Sequence, residues 1–216
     1  GGSYAAMCIT EPGTGSDSAN ISTTAVADGD EWVLNGEKIY VTDGQRSDTL
    51  VVWATLDKSL GKAAIKSFIV EKGTPGCEVI RLEHKLGIRA SDTASISFNN
   101  CRIPQANILG SPDIATDAEG RKKAFGGVMQ TFDNTRPPVA AMAIGVSRAA
   151  LDLSRALLKE EGVELKFDKK PANLSAIEAE LAQMEAEWHG ARLLVLKAAW
   201  MADNKMPNSM EASMCK

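Results

Sequence analysis

The chain has 216 residues, of which 44% are hydrophobic and 24% are charged, a composition typical of a globular protein rather than a disordered one. Lys and Arg number 24 against 28 Asp and Glu, so the formal net charge of -4 argues against nucleic acid as a main partner. The sequence contains no apolar run of about 18 residues. Nor does it begin with the basic and apolar pattern of a secretory signal, so we expect neither a membrane span nor secretion.

Short segments rich in Val, Ile, Thr and Trp, separated by Gly, Asp, Asn and Pro, occupy the chain up to residue 115. The pair Asn35-Gly36 lies between two of them and predicts a two-residue hairpin turn, because both residues tolerate positive φ. With no helical pattern between the segments, we expect an antiparallel β-barrel or sandwich domain over residues 1–115. The predicted strands are 7–10, 21–27, 31–34, 37–42, 49–55, 67–71, 78–82 and 95–98.

Helical periodicity replaces the strand pattern after residue 117, so residues 116–216 are expected to form part of an antiparallel helical bundle in an α+β chain. The first long helix is predicted to start at a cap formed by Asp133 or Asn134, with Pro137-Pro138 in its first turn. A second helix is predicted at the capping box Ser175-Ala176-Ile177-Glu178, and a third at Asn208-Ser209-Met210-Glu211. The predicted inward faces carry Val139, Ala143, Val146, Ala150, Leu153 and Leu157, then Ile177, Leu181, Met184, Trp188, Ala191, Val195 and Ala198.

The sequence enters a strand at once and stops within its third helix, so we expect it to be an interior piece of a longer protein.

Its four cysteines match neither a zinc-binding spacing nor a compact disulfide framework, which predicts reduced thiols, no metal site and a cytoplasmic location. His84 and His189 stand at no recognisable distance from a nucleophile, so a hydrolase triad has no support. The cysteines are Cys8, Cys77, Cys101 and Cys215.

The segment 7–17 is the densest candidate site, because a strand runs into Gly13-Thr14-Gly15 followed by hydroxyl and carboxylate side chains. Glycines let a ligand approach the backbone, and free amides with Ser and Thr hydroxyls bind polar ring edges or phosphate. The third glycine of a dinucleotide fingerprint is missing and a strand follows, so a Rossmann site is rejected. A ligand cradle and a plain hairpin loop remain equally open on spacing alone.

Two further polar segments are candidates. Phe132-Asp133-Asn134-Thr135-Arg136-Pro137 stands at the predicted helix start. It is either a capping aspartate with a solvated arginine or a site for an anionic or polar ligand arm. The segment 85–93 lies between predicted strands and is either an interface or a connector.

Four motifs, in this order, resemble those of the flavin-dependent acyl-CoA dehydrogenases: TEPGTGSD at 10–17, LNGEKIYVTDG at 34–44, KLGIRASDT at 85–93 and FDNTRP at 132–137. The resemblance covers almost the whole chain. It implies the family's middle β-domain and the first part of its C-terminal helical domain, without the N-terminal helical domain or the end of the bundle. It further implies FAD-dependent α,β-desaturation of an acyl-CoA thioester, with electrons passed to an electron-transfer flavoprotein. The implied assembly is a homo- or hetero-tetramer, located in the mitochondrial matrix if the source is eukaryotic.

Matched position by position, the resemblance implies a flavin site in the β-domain. Thr10 and nearby backbone groups would meet the pyrimidine edge of the ring, Tyr40 would shield one face in place of the family's usual Trp, and Thr42 would lie near the nitrogen that accepts hydride. The implied cofactor-binding residues are Met7, Cys8, Ile9, Thr10, Gly13, Gly15, Ser16, Tyr40, Val41 and Thr42. The implied substrate-binding residues are Ser16, Phe132, Asp133, Asn134, Thr135 and Arg136, with the helical residues at the CoA arm.

The chain departs from the family pattern at three positions. Glu164 stands where an arginine normally grips the FAD pyrophosphate of a neighbouring subunit, and its charge would repel that group. Ser175 replaces a glutamine. The catalytic glutamate is expected in the absent C-terminal segment, and members that carry it on the first long helix have it at the position of Thr135, so no catalytic residue is expected here. Two rivals follow: a partner subunit with a partly lost site, and an acyl-CoA oxidase or flavin monooxygenase on the same scaffold.

Overall fold

The computed structural model describes residues 2–115, 117, 126–163 and 168–216. The chain forms two compact units, residues 1–126 and 127–216. The described strands are β1 (Ala5–Cys8), β2 (Thr24–Asp28), β3 (Glu31–Thr42), β4 (Thr49–Thr55), β5 (Ile65–Glu71), β6 (Cys77–Leu82), β7 (Thr93–Pro104) and β8 (Ile108–Leu109). The described α-helices are α1 (Gly126–Glu160), α2 (Ala176–Asp203) and α3 (Ser209–Cys215), and short 3-10 helices lie at Lys58–Ala64, Gln105–Asn107 and Pro171–Asn173. The predicted α+β class is confirmed, and each predicted strand overlaps an observed one.

The strands form one sheet in the order β6-β7-β3-β2-β4-β5-β8, with β1 added beside β4. Within the described residues β6 and β8 do not pair with each other, so the sheet is not closed into a barrel, which was one of the two predicted arrangements. The pairing is also not purely antiparallel, because β1 runs parallel to β4 and β2 meets β4 in parallel at Thr24 and Thr55. Strand spacing predicts how many strands exist but not which edges pair, and this is the physical reason for both differences. The loop after β1 therefore leaves the sheet in the same direction as the end of β4.

The predicted hairpin at Asn35-Gly36 is wrong, because β3 continues unbroken through both residues. The register with β7 shifts there, and Gly36 has φ +150, with an ideal Cβ only 2.5 Å from Thr23 Oγ1. The reversal between β2 and β3 lies instead at Gly29-Asp30, where only the glycine has positive φ, as in a type II′ turn. At Asn35-Gly36 the glycine allows a close approach of two backbones rather than a turn.

The core of the first unit is formed by inward-facing side chains of β3, β4, β5 and β7. Trp32 packs edge-on against Phe68, with ring centroids 5.4 Å apart. Burial of apolar side chains of this size stabilises the fold by about 1.5–3 kcal/mol each. Lys38 is fully buried in the same unit, and it leads to the candidate site below. The most deeply buried apolar members are Leu34, Val52, Phe68, Val70, Ile96 and Ile103.

The two long helices of the second unit pack in antiparallel directions, as expected. Trp188 Nε1 donates to Ile144 O over 3.0 Å. Further along α1, Arg148 and Arg155 pair with Glu185, an earlier residue of α2, at 3.2 and 2.8 Å. The predicted capping box is confirmed at the start of α2, and α3 begins directly after Asn208, as predicted. Of the helices that the structure describes, none has the length and apolar character needed to cross a membrane.

The start of α1 differs from the expectation. The helix begins at Gly126, two turns before the predicted caps, so Asp133 and Asn134 lie inside it. Pro137-Pro138 is internal as well, and each proline removes the amide that would bond the carbonyl four residues earlier. Asp and Asn before a Pro pair are typical of a helix start, so this local pattern predicts a start that the chain does not use.

The predicted inward face of α1 is largely exposed. Val146 is 72% exposed and Leu153 is 61% exposed, whereas Ala140 and Leu151 are buried. Periodicity identifies the residues that share a helix face, but it does not identify what covers that face. No described element covers this stripe, and the predicted burial of these positions is wrong for the chain as the structure describes it.

Candidate functional site

The loop after β1 closes into a tight turn. Glu11 N donates to Thr14 O over 3.0 Å and Thr14 N donates to Glu11 O over 3.1 Å, which places Pro12-Gly13 at the corners. Thr14 Oγ1 donates to Asn20 O over 3.1 Å and ties the turn to the chain before β2. The loop is therefore a fixed projection from the sheet. Its exposed members include Gly13, Gly15 and Ser16.

A buried ion pair fixes the base of this turn. Lys38 Nζ lies 2.8 Å from Glu11 Oε1 and donates to Ile9 O over 3.0 Å, and the two charged side chains are 0% and 1% exposed. The amides and hydroxyls of Ser22 and Thr23 add four hydrogen bonds to the Glu11 carboxylate, at 2.5 to 2.9 Å. Burial works to raise the pKa of Glu11, but the hydrogen bonds from Lys38, Ser22 and Thr23 outweigh it and hold the pKa at about 2. Burial lowers the pKa of Lys38, and the contact with Glu11 opposes that change.

The next residues of β3 form the second half of the site. Ile39 N donates to Thr10 O over 2.8 Å, so the loop lies directly against this strand. The register with β7 then shifts between Lys38 and Val41, and Tyr40 takes a left-handed φ of 57° with 62% of its surface exposed. The structure therefore brings together the segments 7–10 and 40–42, which the resemblance had assigned to one cofactor.

The segment 85–93 braces the end of β3. Asp43 has a left-handed φ of 56°, and its amide donates to Asp92 O over 2.9 Å. Gln45 N donates to Asp92 Oδ2 over 2.9 Å, and Ser91 Oγ donates to Asp43 Oδ1 over 3.2 Å. A left-handed conformation at a non-glycine residue costs about 1–2 kcal/mol, so these hydrogen bonds hold the chain in a conformation that it would otherwise leave. The sequence leaves open whether the segment 85–93 is an interface or a connector. The contacts within this chain support a connector that fixes the position of Thr42.

Six of the predicted cofactor-binding side chains fall into two groups. Cys8, Ile9 and Val41 are buried, so they can offer a ligand only backbone groups. Burial also raises the pKa of the Cys8 thiol to about 12, which leaves the thiol protonated and unreactive at neutral pH. The second group has hydroxyls that make no hydrogen bond to another described residue, and these are Thr10, Ser16 and Thr42.

Neither Gly13 nor Gly15 is required by the packing of the described chain. Neither has a left-handed φ, and an ideal Cβ on either would meet no atom within 4 Å. Gly76 provides the contrast, because its φ is +81 and an ideal Cβ would lie 2.4 Å from Asn99 O. The space at Gly13 and Gly15 is thus open to a group from outside the chain that approaches the backbone.

The predicted substrate-binding residues of the second unit lie on α1. Arg136 Nη1 donates to Asp133 Oδ1 over 2.7 Å, and the guanidinium lies 5.6 Å from the centroid of the Phe132 ring. Asn134 and Thr135 are exposed. A helix dipole acts mainly within the first turn, and these residues lie one to two turns further on, so the proposed contribution of a helix N-terminus is wrong. Arg136 is the residue of this segment that carries positive charge.

The buried ion pair between Glu11 and Lys38 was not predicted from the sequence. The sequence did carry a signal for this pair. The buried positions of β3 include residues 32, 34 and 38, so the lysine at position 38 faces inward, and a buried lysine requires a buried partner. Glu164 lies outside the described residues. Ser175 serves as the N-cap of α2, with its hydroxyl accepting from Glu178 N over 3.3 Å. Within the described ranges, no three His, Cys, Asp or Glu side chains form a group that could hold a metal ion.

The sequence matches two family models, described as the acyl-CoA dehydrogenase middle domain over residues 6–101 and the acyl-CoA dehydrogenase C-terminal domain over residues 125–216. Acryloyl-CoA reductase (NADH) of Anaerotignum propionicum is 39% identical over 218 residues, which cover 100% of this chain and 52% of that protein. The mitochondrial short-chain specific acyl-CoA dehydrogenase of Bos taurus is 39% identical over 210 residues, 97% of this chain and 48% of that protein. Among solved structures, butyryl-CoA dehydrogenase from Megasphaera elsdenii aligns with a TM-score of 0.82 and 34% identity over 99% of this chain and 53% of that one. The chain spans about half the length of the relatives it matches.

Proposed function

Because the chain belongs to the acyl-CoA dehydrogenase family, whose members use FAD, we propose that the complete protein is an FAD-dependent acyl-CoA dehydrogenase. The reaction is the desaturation of an acyl-CoA thioester between its α and β carbons. The observation that carries the proposal is the junction between the segments 7–10 and 40–42. Ile39 N and Lys38 Nζ hold the loop against β3 at this junction, which supports one site for the two segments assigned to the flavin.

The described residues fit a flavin chemically. The ring has a polar edge that needs hydrogen-bond partners, and the hydroxyls of Thr10, Ser16 and Thr42 have none within the described chain. Tyr40 offers an exposed aromatic ring on the strand segment that leads to Thr42, and the open space at Gly15 allows close contact with the backbone. When bound, FAD supplies the hydride acceptor, and the residues named here hold and orient it.

We assign the CoA arm to α1. That arm carries phosphate groups together with amide and hydroxyl donors. Arg136, held in place by Asp133, supplies a positive charge for phosphate or another polar acceptor. Pro137-Pro138 leaves the carbonyls of Asp133 and Asn134 without the amides that normally bond them, so both are available to donors of a ligand.

Among the residues that the structure describes, we assign none as the catalytic base. Removal of an α-proton needs a positioned group of matched pKa, which in this family is a glutamate. Thr135 stands at one of the two family positions for that residue, and its hydroxyl donates instead to Phe132 O over 3.2 Å. We therefore do not assign the role of base to Thr135.

A second candidate is the reductive direction, in which an enoyl-CoA is saturated. The observation in its favour is the 39% identity to an acryloyl-CoA reductase (NADH) over the whole chain. The same residues would hold the flavin in either direction, because bound FAD would supply the hydride chemistry for both. For both directions we propose an electron-transfer flavoprotein as the electron partner and a homo- or hetero-tetramer as the assembly. The oxidase rival differs in passing electrons to oxygen.

The direction and acceptor can be tested together on the purified complete protein. Butyryl-CoA with a one-electron dye acceptor should yield the unsaturated thioester, detected by mass spectrometry as a loss of two hydrogens. Incubation of crotonyl-CoA or acryloyl-CoA with a reduced dye measures the reverse reaction. Fast hydrogen peroxide formation in air would favour an oxidase. No conversion of any thioester in either direction would overturn the proposed function.

A further inference from the structure

The Glu11–Lys38 pair is the buried charged group of the first unit for which the proposed chemistry has no direct use. Both side chains are inaccessible to solvent, and the Glu11 carboxylate accepts five hydrogen bonds, from Lys38, Ser22 and Thr23. A buried ion pair is weak evidence for stability, because the cost of removing both charges from water offsets much of their attraction. The position of the pair therefore calls for a reason other than stability.

The contacts of the pair converge on Thr10. Lys38 Nζ bonds the carbonyl of Ile9 and the carboxylate of Glu11, which stand on either side of Thr10 in the chain. The residue after Lys38 completes the set, since Ile39 N bonds the carbonyl of Thr10 itself. Three consecutive residues of the loop are thus tied to two consecutive residues of β3.

The same two residues of β3 precede the bulge that exposes Tyr40. Lys38 is the last residue paired with β7 before the register shift, and pairing resumes at Val41. The buried side chain of Lys38 therefore fixes β3 at the point from which Tyr40 and Thr42 extend. Lys38 links the two halves of the flavin surface, although its own side chain reaches neither solvent nor ligand.

We propose that Glu11 and Lys38 are a positioning pair for the flavin, which holds the Thr10 backbone and the segment 40–42 in the arrangement that binds the polar edge of the ring. This inference rests on the proposed function. The pair acts through the backbone of Ile9 and Thr10 and touches no ligand. Its loss is expected to weaken FAD binding and to lower the reduction potential of the bound flavin, because hydrogen bonds at the polar edge stabilise the reduced ring.

The test uses the double variant Glu11→Gln/Lys38→Met of the complete protein, which removes both charges and leaves neither one buried alone. Three quantities are measured: the FAD dissociation constant of the apoprotein, the midpoint potential of the bound flavin, and the urea midpoint of unfolding. The matched control is Ile103→Ala, a buried substitution that pairs with Trp32 at the opposite end of the β3–β7 ladder. It destabilises the same sheet without touching the loop.

We expect the double variant to bind FAD about tenfold more weakly, the effect of losing one or two neutral hydrogen bonds from the segments that the pair positions, and at a lower potential. Ile103→Ala should retain the parent's FAD affinity and potential. If the double variant does not fold, Ser22→Ala takes its place, since it removes one bond to Glu11 from an exposed residue, and a smaller loss of affinity is expected. Parent-like affinity and potential in the folded variant, or an equal loss in Ile103→Ala, would overturn the inference. A parent protein that binds no FAD would overturn the proposed function itself.

Discussion

The amide of Ile39 donates a hydrogen bond to the carbonyl of Thr10 over 2.8 Å, and this contact joins the loop after β1 to the middle of β3. Through it, Thr10 lies beside the strand segment that leads to Thr42. The surface formed there belongs entirely to the first unit. It can therefore be tested by substitutions that leave the helices unchanged.

Removing the two exposed hydroxyls of the group Thr10, Ser16 and Thr42 should weaken flavin binding without loss of stability. Ser16 and Thr42 are exposed and make no hydrogen bond within the described chain, so Ser16→Ala/Thr42→Ala removes contacts only to a ligand. A neutral hydrogen bond contributes about 0.5–1.5 kcal/mol, so FAD affinity should fall roughly two- to tenfold for each one lost. Titration of the apoprotein with FAD measures this. Ser111→Ala/Thr74→Ala, elsewhere in the same unit, is the control and should bind like the parent. Unchanged affinity in the first variant would remove these residues from the site.

The glycines of the loop should tolerate side chains in the absence of ligand. Gly15 does not have a left-handed φ, and a side chain at this position would enter open space. The free energy of unfolding of Gly15→Val should therefore stay near that of the parent, while its FAD binding weakens. Gly76→Ala should behave in the opposite way. Its φ of +81 and the contact with Asn99 O should destabilise the first unit by at least about 1–2 kcal/mol. Urea unfolding with and without FAD distinguishes the two. A Gly15→Val protein with parent-like FAD affinity would show that no ligand approaches there.

The first unit should lose stability in acid because of Glu11. The pKa of this carboxyl is about 2 in the folded chain against an ordinary 4.5, so its contribution is complete above pH 4.5 and is lost as the pH falls towards 2. Urea unfolding across this interval should show a steeper fall for the parent than for Glu11→Gln/Lys38→Met, which lacks the titrating group. Equal slopes would contradict the account. The single change Glu11→Gln should cost about 3–5 kcal/mol at neutral pH, because it leaves Lys38 buried without its counter-ion.

Arg136→Ala should weaken acyl-CoA binding more than it lowers stability. The guanidinium is partly exposed, and its ion pair with Asp133 lies at a surface where such pairs contribute little. A charge-assisted hydrogen bond to a ligand is worth about 1.5–3 kcal/mol, which calorimetry with an acyl-CoA would detect as a roughly tenfold or greater loss of affinity. Arg148→Ala is the matched control, since Arg148 also pairs with carboxylates on α1 and α2 and stacks over Trp188. Equal acyl-CoA affinity in Arg136→Ala and the parent would make Arg136 a structural residue only.

The charge at Glu164 should limit FAD retention in an all-identical tetramer. This residue lies outside the described ranges, so the prediction rests on the resemblance, which places an arginine for a neighbour's FAD pyrophosphate at this position. Lys169 is engaged elsewhere, since its ammonium lies 2.5 Å from Glu178. Glu164→Arg should therefore raise flavin occupancy per subunit after gel filtration. A parent homotetramer with one FAD per chain would contradict the prediction.

Much of the fold could be predicted from patterns, and the failures have physical causes. Alternation and helical periodicity located the strands and long helices, and the capping box at Ser175 gave the start of α2, because these signals are local. Asn35-Gly36 failed because the glycine was selected by a close approach to Thr23, a contact distant in sequence. The outward stripe of α1 failed for a related reason, since a sequence pattern does not reveal which surface is covered.

The candidate site could be predicted as a set of residues but not as an arrangement. The resemblance gave the segments 7–16 and 40–42, and the structure adds what holds them together. The buried Lys38 and the left-handed Tyr40 depend on pairing between β3, the loop and β7, which no local pattern encodes. A charged residue at an inward strand position was the one available signal.

The most direct measurement is a crystal structure of the complete protein with FAD bound. The account predicts the isoalloxazine ring against the segments 7–10 and 40–42 of this chain, with its polar edge at Thr10 and a hydroxyl contact from Thr42. A flavin bound elsewhere in the protein, or a ring that leaves both segments exposed to solvent, would contradict the central claim.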